Sequence, residues 1–413
     1  MISSILPALL LIGAVVFIHE LGHYLAARSI GVKVEKFSVC FGPRIFAFTS
    51  VKDGWDFKLF FYRKNEEGKI AWGPIFSKFF SQSGRKGSKT EYCLSLIPLG
   101  GYVKVAGMLD ESLDTKISNK SYELMSKSRP KQVWFMSAGV IMNAILAFVI
   151  FTGLTLHNGK PVPVEGAMIV GDVMEDYPAS LAGIQKDDQI IAIENFEINS
   201  IQDMQNALKG KMDQPITVTY IRESETFNEV VRPKSHIDPQ SGETKAILGI
   251  SQAVEIVPAS LYESIQTGYE RTVFGFSLVT LSIKMLASGE ASLKELGGPL
   301  MIGGLAAETA KQGWSPYLSL MALISCNLAF LNILPIPGLD GGHIFITTIE
   351  GIIRRPLSLK LRMAIQQFGM VLLLMLMATV MINDIGRLFG LSLIHISEPT
   401  RQAEISYAVF CLK

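Results

Sequence analysis

Two histidines four residues apart bracket a glutamate in the run His19-Glu20-Leu21-Gly22-His23. On a helix, positions i and i+4 share a face, so both imidazoles can hold one metal ion. Glu20 lies beside those ligands, where a carboxylate can accept a proton from water. Zinc lowers the pKa of a bound water from 15.7 to about 7, which makes a nucleophile at neutral pH and points to metal-assisted hydrolysis. A chain of this length meets HExxH by chance about once in a hundred, so the motif needs a second observation.

Its location is that observation. The motif closes an apolar run, residues 1–27, long enough to cross a bilayer. No basic segment precedes the run, and polar residues stand where the core of a signal peptide would end, so it reads as a retained span. Ionisable residues inside a span cost about 2.5–3.5 kcal/mol each on insertion scales and are functional by default. Histidines that merely snorkelled to the interface would leave Glu20 buried without a partner.

A tetrahedral catalytic site takes a third protein ligand and leaves one position open. The remote candidate is Asp340 in Asn332-Ile333-Leu334-Pro335-Ile336-Pro337-Gly338-Leu339-Asp340-Gly341-Gly342. Its two prolines and glycine should unwind the end of an apolar run, at the same membrane depth as His19. His343, three residues further on, is the rival ligand. His157, His236 and His395 have no partners at ligand spacing and read as surface residues.

The elements that must position these residues are apolar helices. Of the 413 residues, 49% are hydrophobic and only 18% charged, with mean hydropathy +0.33, and the apolar residues pool in long runs. Spans are expected at 1–27, 131–156, 316–342 and 362–384. Residues 28–130 hold 18 Lys/Arg against 10 Asp/Glu, whereas 157–265 hold 8 against 17. The basic residues cluster at span ends, which places 28–130 in the cytoplasm and the acidic region outside. Alternating runs between 164 and 232 (AMIVGDVM, QIIAIENF, ITVTYIR) predict a small β-rich domain. Residues 260–310, interrupted by Lys284, read as an interfacial helical segment. The stretch 71–89 mixes aromatics with Lys and Arg; a membrane-surface segment and a solvated loop both fit it.

A net charge of +1 and the absence of zinc-finger spacing or basic recognition helices set nucleic-acid binding aside. Cys40, Cys93, Cys326 and Cys411 are scattered, which excludes a disulfide scaffold.

HELGH in the first span, FSVCFGPRIF (37–46), PLGGYVKVAG (98–107) and NILPIPGLDGGH (332–343) together resemble the site-2 protease family, of the bacterial regulator-of-sigma-E protease type, over most of residues 1–390. The resemblance implies a polytopic α-helical membrane protein with about four transmembrane helices and an inserted β-rich PDZ-like domain. It implies Zn2+ held by His19, His23 and Asp340, with Glu20 as general base, and Asn332 positioning substrate or transition state. Gly100, Gly101 and Tyr102 match a membrane-associated β-hairpin that holds extended substrate in the family. The implied partners are the lipid bilayer and single-pass membrane proteins such as anti-sigma factors or remnant signal peptides. The implied location is the bacterial inner membrane. The implied activity is regulated intramembrane proteolysis.

Some residues depart from the pattern. Asp187-Asp188 stands where the PDZ pattern has Gly-Asp, and Asn195-Phe196 where it has Asn-Gly. Val140 follows Gly139 where a proline is common; Asn143 there could face the site or make an interhelical hydrogen bond. Residues of roughly 52–89 look like an insertion. The end, 393–413, matches nothing in the family and resembles translated adapter sequence, with a disordered natural tail as the alternative. A silent PDZ scaffold and a metal transporter are the competing readings. The intact HExxH and LDG motifs speak against the first, and the clustering of ionisable residues at one depth against the second.

Overall fold

A computed structural model describes residues 2–64, 70–84, 86–108, 120–237, 244–289, 291–292 and 296–388. The suspect end, 393–413, lies outside these residues. The chain divides into two units, one built from 1–149 with 296–390, the other from 150–295.

The first unit begins with α1 (Ile2–Ser29), apolar on nearly every side and therefore suited to lipid or a deep core. Gly31, at φ 68°, ends the helical path in a conformation that glycine adopts without steric cost. Four strands follow: β1 (Val34–Val51), β2 (Gly54–Lys64), β3 (Ile70–Ser81) and β4 (Glu91–Val105). They form one sheet in the order β3-β2-β1-β4. Both β1 and β4 bend: β1 at Cys40 and Gly42, β4 at Gly100, all with positive φ. Residues 44–49 of β1 pair with 91–95, while 34–39 pair with 101–105, so the last limb of β4 forms an edge of the sheet. The stretch 52–89 supplies the β2–β3 hairpin, paired from Gly54↔Ser81 to Lys64↔Ile70. Phe61, Tyr62, Phe79 and Phe80 on it are exposed. Helix α2 (Arg129–Asn158) then runs against α1, and Phe135, Met136 and Ala138 share a buried cluster with Ala26, Ala27, Val32 and Val105.

The second unit holds β5 (Lys160–Pro163), β6 (Met168–Val173), α3 (Pro178–Leu181), β7 (Gln189–Ile193), β8 (Phe196–Glu197), α4 (Ile201–Leu208), β9 (Ile216–Arg222), β10 (Glu225–Val231), β11 (Lys234–Ile237), β12 (Thr244–Ile247), β13 (Ile250–Gln252), β14 (Val254–Val257) and α5 (Leu261–Ser288). Its main sheet runs β10-β9-β7-β6-β13, with β8 on β7. The core under it includes Met168, Ile190, Ile193, Leu208, Val218 and Leu248. Buried Asp188 takes a two-pronged ion pair from Arg222, with both N···O distances 2.7 Å, and accepts from Gln185 N at 2.7 Å. Asp187 beside it adopts φ 70°. Asp is among the few residues that tolerate this position in place of glycine.

The chain returns to the first unit with α6 (Pro299–Gln312), α7 (Trp314–Ile333), α8 (Asp340–Ile353) and α9 (Leu359–Leu388). Residues 260–310 thus carry two helices, α5 and α6, in different units. Helix α6 packs on α1 around Leu11, Ala306 and Leu320. Pro335, Pro337 and Gly338 stop α7 at Ile333, and Asp340 opens a separate helix after the non-helical turn 334–339. Four described helices are long and apolar enough to cross a membrane: Ile5–Ser29, Arg129–Asn158, Trp314–Ile333 and Leu359–Arg387.

Candidate metal centre

Helices α1 and α8 bring three side chains to one point. His19 Nε2 and His23 Nε2 lie 3.2 Å apart, and each is 3.2 Å from Asp340 Oδ2. Ligands about 2.0–2.1 Å from a tetrahedral zinc stand about 3.3 Å from one another, so the triangle has the edge length of such a site. Asp340 Oδ2 is buried and receives no hydrogen bond. Two ring nitrogens and a carboxylate oxygen converging on one point at this spacing fit a divalent cation. Among the described residues this is the one group of His, Cys, Asp and Glu gathered closely enough to hold one. His343 lies outside it and lines a small cavity with Met108, Pro337 and Arg362 instead.

One face of α2 backs the two imidazoles. His23 Nδ1 donates to Phe135 O at 2.9 Å, which leaves the Nε2 lone pair free. His19 Nδ1 faces the Asn143 side chain at 3.4 Å. Between them lies Gly139, where an added Cβ would come within 2.5 Å of both His19 Cε1 and His23 Nε2. Positions 135, 139 and 143 recur every four residues, as do His19 and His23, so two helical faces meet in register. Gly22 permits this approach, since a Cβ there would strike the Ala138 main chain.

Glu20 is half-buried and accepts a hydrogen bond from the Val103 main-chain N–H. A Cβ on Gly101 would lie 3.6 Å from Glu20 Cγ. The edge limb of β4 therefore runs alongside the carboxylate. Gly100 takes φ 136°, and Tyr102 stacks on Phe41 with ring centres 5.8 Å apart and with Lys36 Nζ 5.0 Å above its ring. Asn332 occupies the last turn of α7, half-buried, and its side chain bonds no described residue. The structure thus gathers His19, His23 and Asp340 and sets Glu20 against the strand 100–103, while the Asn332 side chain bonds none of them. The sequence names Gly139 only as the residue before Val140, with no role at the site, and gives no sign of the Phe135 carbonyl. The signal for both was the four-residue register with Asn143.

The chain matches peptidase family M50 over residues 7–64 and 69–376. It is 32% identical over 382 residues to a "Putative zinc metalloprotease" of Clostridium perfringens, covering 92% of this chain and 98% of that protein. A like-named protein of Campylobacter jejuni is 31% identical over 398 residues, 93% of this chain and 94% of its own. Another of Mesorhizobium japonicum is 28% identical over 406 residues, 94% and 99%.

Proposed function

The chain belongs to peptidase family M50, and from that premise we propose that it hydrolyses peptide bonds within or near the transmembrane segments of single-pass membrane proteins. It is a zinc metalloprotease and an integral membrane protein. The observation that carries the finer reading is the triangle of His19, His23 and Asp340, with Glu20 beside it and an open sheet edge alongside.

His19, His23 and Asp340 would hold the ion. When bound, zinc supplies Lewis-acid activation of water and of the scissile carbonyl. Glu20 takes the proton from the attacking water and can return it to the leaving amine, as a general base and acid in turn. Its bond from Val103 N–H keeps the carboxylate turned toward the strand edge. A helical segment shields its peptide carbonyls by its own hydrogen bonds, so it must unwind before attack. Gly100, Gly101 and Tyr102 line the edge that can pair with the unwound segment and hold it extended. Asn332, bonded to no described residue, is free to donate to a substrate carbonyl.

In this reading the 164–232 segment is a PDZ-like domain that filters or docks chain ends outside the membrane. The basic span ends support an inner-membrane protein with that domain on the outer side. Substrates would be single-pass proteins such as anti-sigma factors or remnant signal peptides, the setting of regulated intramembrane proteolysis.

The test is cleavage of a labelled single-pass substrate by the purified chain in detergent, beside Glu20→Gln. The variant should bind zinc normally and lose about 10²–10⁴-fold in rate, the usual contribution of a positioned acid–base group. Cleavage unchanged by the substitution would remove Glu20 from the mechanism.

A further inference from the structure

We propose that Asn143 is a positioning residue that fixes the tautomer and ring orientation of His19 by accepting a hydrogen bond from its Nδ1–H. The proposal rests on the metal-site reading above and adds a residue to it.

Asn143 is fully buried. Its Nδ2 stands 3.4 Å from His19 Nδ1, and its Oδ1 has no hydrogen-bond partner. In that orientation the amide donates to Nδ1, so the proton of a neutral imidazole would have to sit on Nε2. Nε2 is the atom that points at His23 Nε2 and Asp340 Oδ2, and a protonated nitrogen cannot ligate. A half-turn of the terminal amide exchanges its two ends at almost no steric cost. Oδ1 then accepts from Nδ1–H, and the Nε2 lone pair faces the other two candidate ligands. The amide N–H2 takes the place Oδ1 held, so the rotation exchanges one unpaired end of the amide for the other and is favoured by the free Nε2 lone pair alone.

The interhelical bond at this position is made elsewhere on the residue. Ser325 Oγ of α7 donates to the Asn143 main-chain oxygen at 2.9 Å, so the side chain is not needed to join α7 to α2. The parallel with His23 is close. Its Nδ1 is satisfied by Phe135 O, two turns earlier on the same face of α2. One helix thereby sets both imidazoles, through a main-chain carbonyl for one and a side-chain carbonyl for the other.

The experiment is a Co2+ titration of the full-length chain in detergent, read by visible absorption, with thermal unfolding of each metal-free variant as a control. The natural chain should give a four-coordinate spectrum. Asn143→Leu, which removes the acceptor, should bind Co2+ about 10–100-fold more weakly, the range expected for losing an outer partner of a ligating histidine. Asn143→Asp, a pure acceptor at that point, should bind like the natural chain. If Asn143→Leu does not fold, Asn143→Ala, which also lacks an acceptor and keeps the main-chain bond to Ser325, gives the same readout. Undiminished affinity in the Leu or Ala variant overturns the proposal, as does an Asp variant as weak as the Leu one. A natural chain that takes up no Co2+ or Zn2+ would instead overturn the metal-site reading itself.

Discussion

A methyl group at position 139 would lie 2.5 Å from His19 Cε1 and His23 Nε2, well inside carbon contact distance. Neither ring can retreat freely, because His23 is tied to Phe135 O and His19 lies against Asn143. Gly139→Ala should therefore push the imidazoles apart and cost about 1–3 kcal/mol of metal-site stability, the usual range for overpacking. Zinc competition with a chromophoric chelator measures this as a loss of about 10–100-fold in affinity; natural affinity would mean that the rings rearrange without penalty. Residues such as Gly139 are hard to read in a sequence, because a glycine in an apolar helix has many uses. The candidate ligands are easier to read. His19 and His23 announce themselves by their spacing, and Asp340 by the prolines that must end the helix before it.

Glu350 joins three helices that the sequence presents as separate runs. Its carboxylate is fully buried in α8, with Arg129 Nη1 at the start of α2 at 2.6 Å, Leu357 N at 2.9 Å, and a close ion pair from Arg362 of α9. Helix α8 also carries Asp340 at its other end, so the cluster anchors the element that carries the third candidate ligand. Removing one member of a buried pair costs about 3–5 kcal/mol, and Arg129, a third exposed, brings the expectation for Glu350→Ala to about 3 kcal/mol. Thermal unfolding in detergent should show the loss, and an unchanged midpoint would mean that the arginines find water at no cost. By sequence alone Arg129 and Arg362 read as charges flanking spans; the distant Glu350 gives no local sign of pairing with either. The start of α5 offers a pH test outside the four candidate spans. Lys160, 2.5 Å away, and the Ser260 cap lower the Glu263 carboxyl from its ordinary 4.5 to about 2. A folded pKa below the unfolded one stabilises the cap fully above about pH 4.5 and loses that contribution as pH falls toward 2. Lys160→Met should raise the Glu263 midpoint measured by NMR, and a midpoint that stays put would assign the shift to the cap alone.

At the scale of the molecule, composition already divides the chain: apolar runs and basic edges on one side, an acidic β-rich stretch on the other. What composition leaves hidden is that 52–89 lengthens the sheet beside the site, since long-range strand pairing has no local signature. The division has a thermodynamic consequence. All three candidate ligands belong to the first unit, and so do all four tryptophans, Trp55, Trp72, Trp134 and Trp314. A ligand bound only by the folded state adds RT ln(1 + [L]/Kd), about 2.7 kcal/mol at a hundredfold excess over Kd. Zinc should therefore raise the tryptophan-detected unfolding midpoint of the full chain, and a chelator should lower it while abolishing cleavage. Hydrogen exchange of main-chain amides in β9 and β10 of the second unit should not respond, because none of the three candidate ligands lies there. If those amides gained protection in step with the first unit, the two units would unfold as one, and metal binding would report on the stability of the whole chain rather than on its first unit.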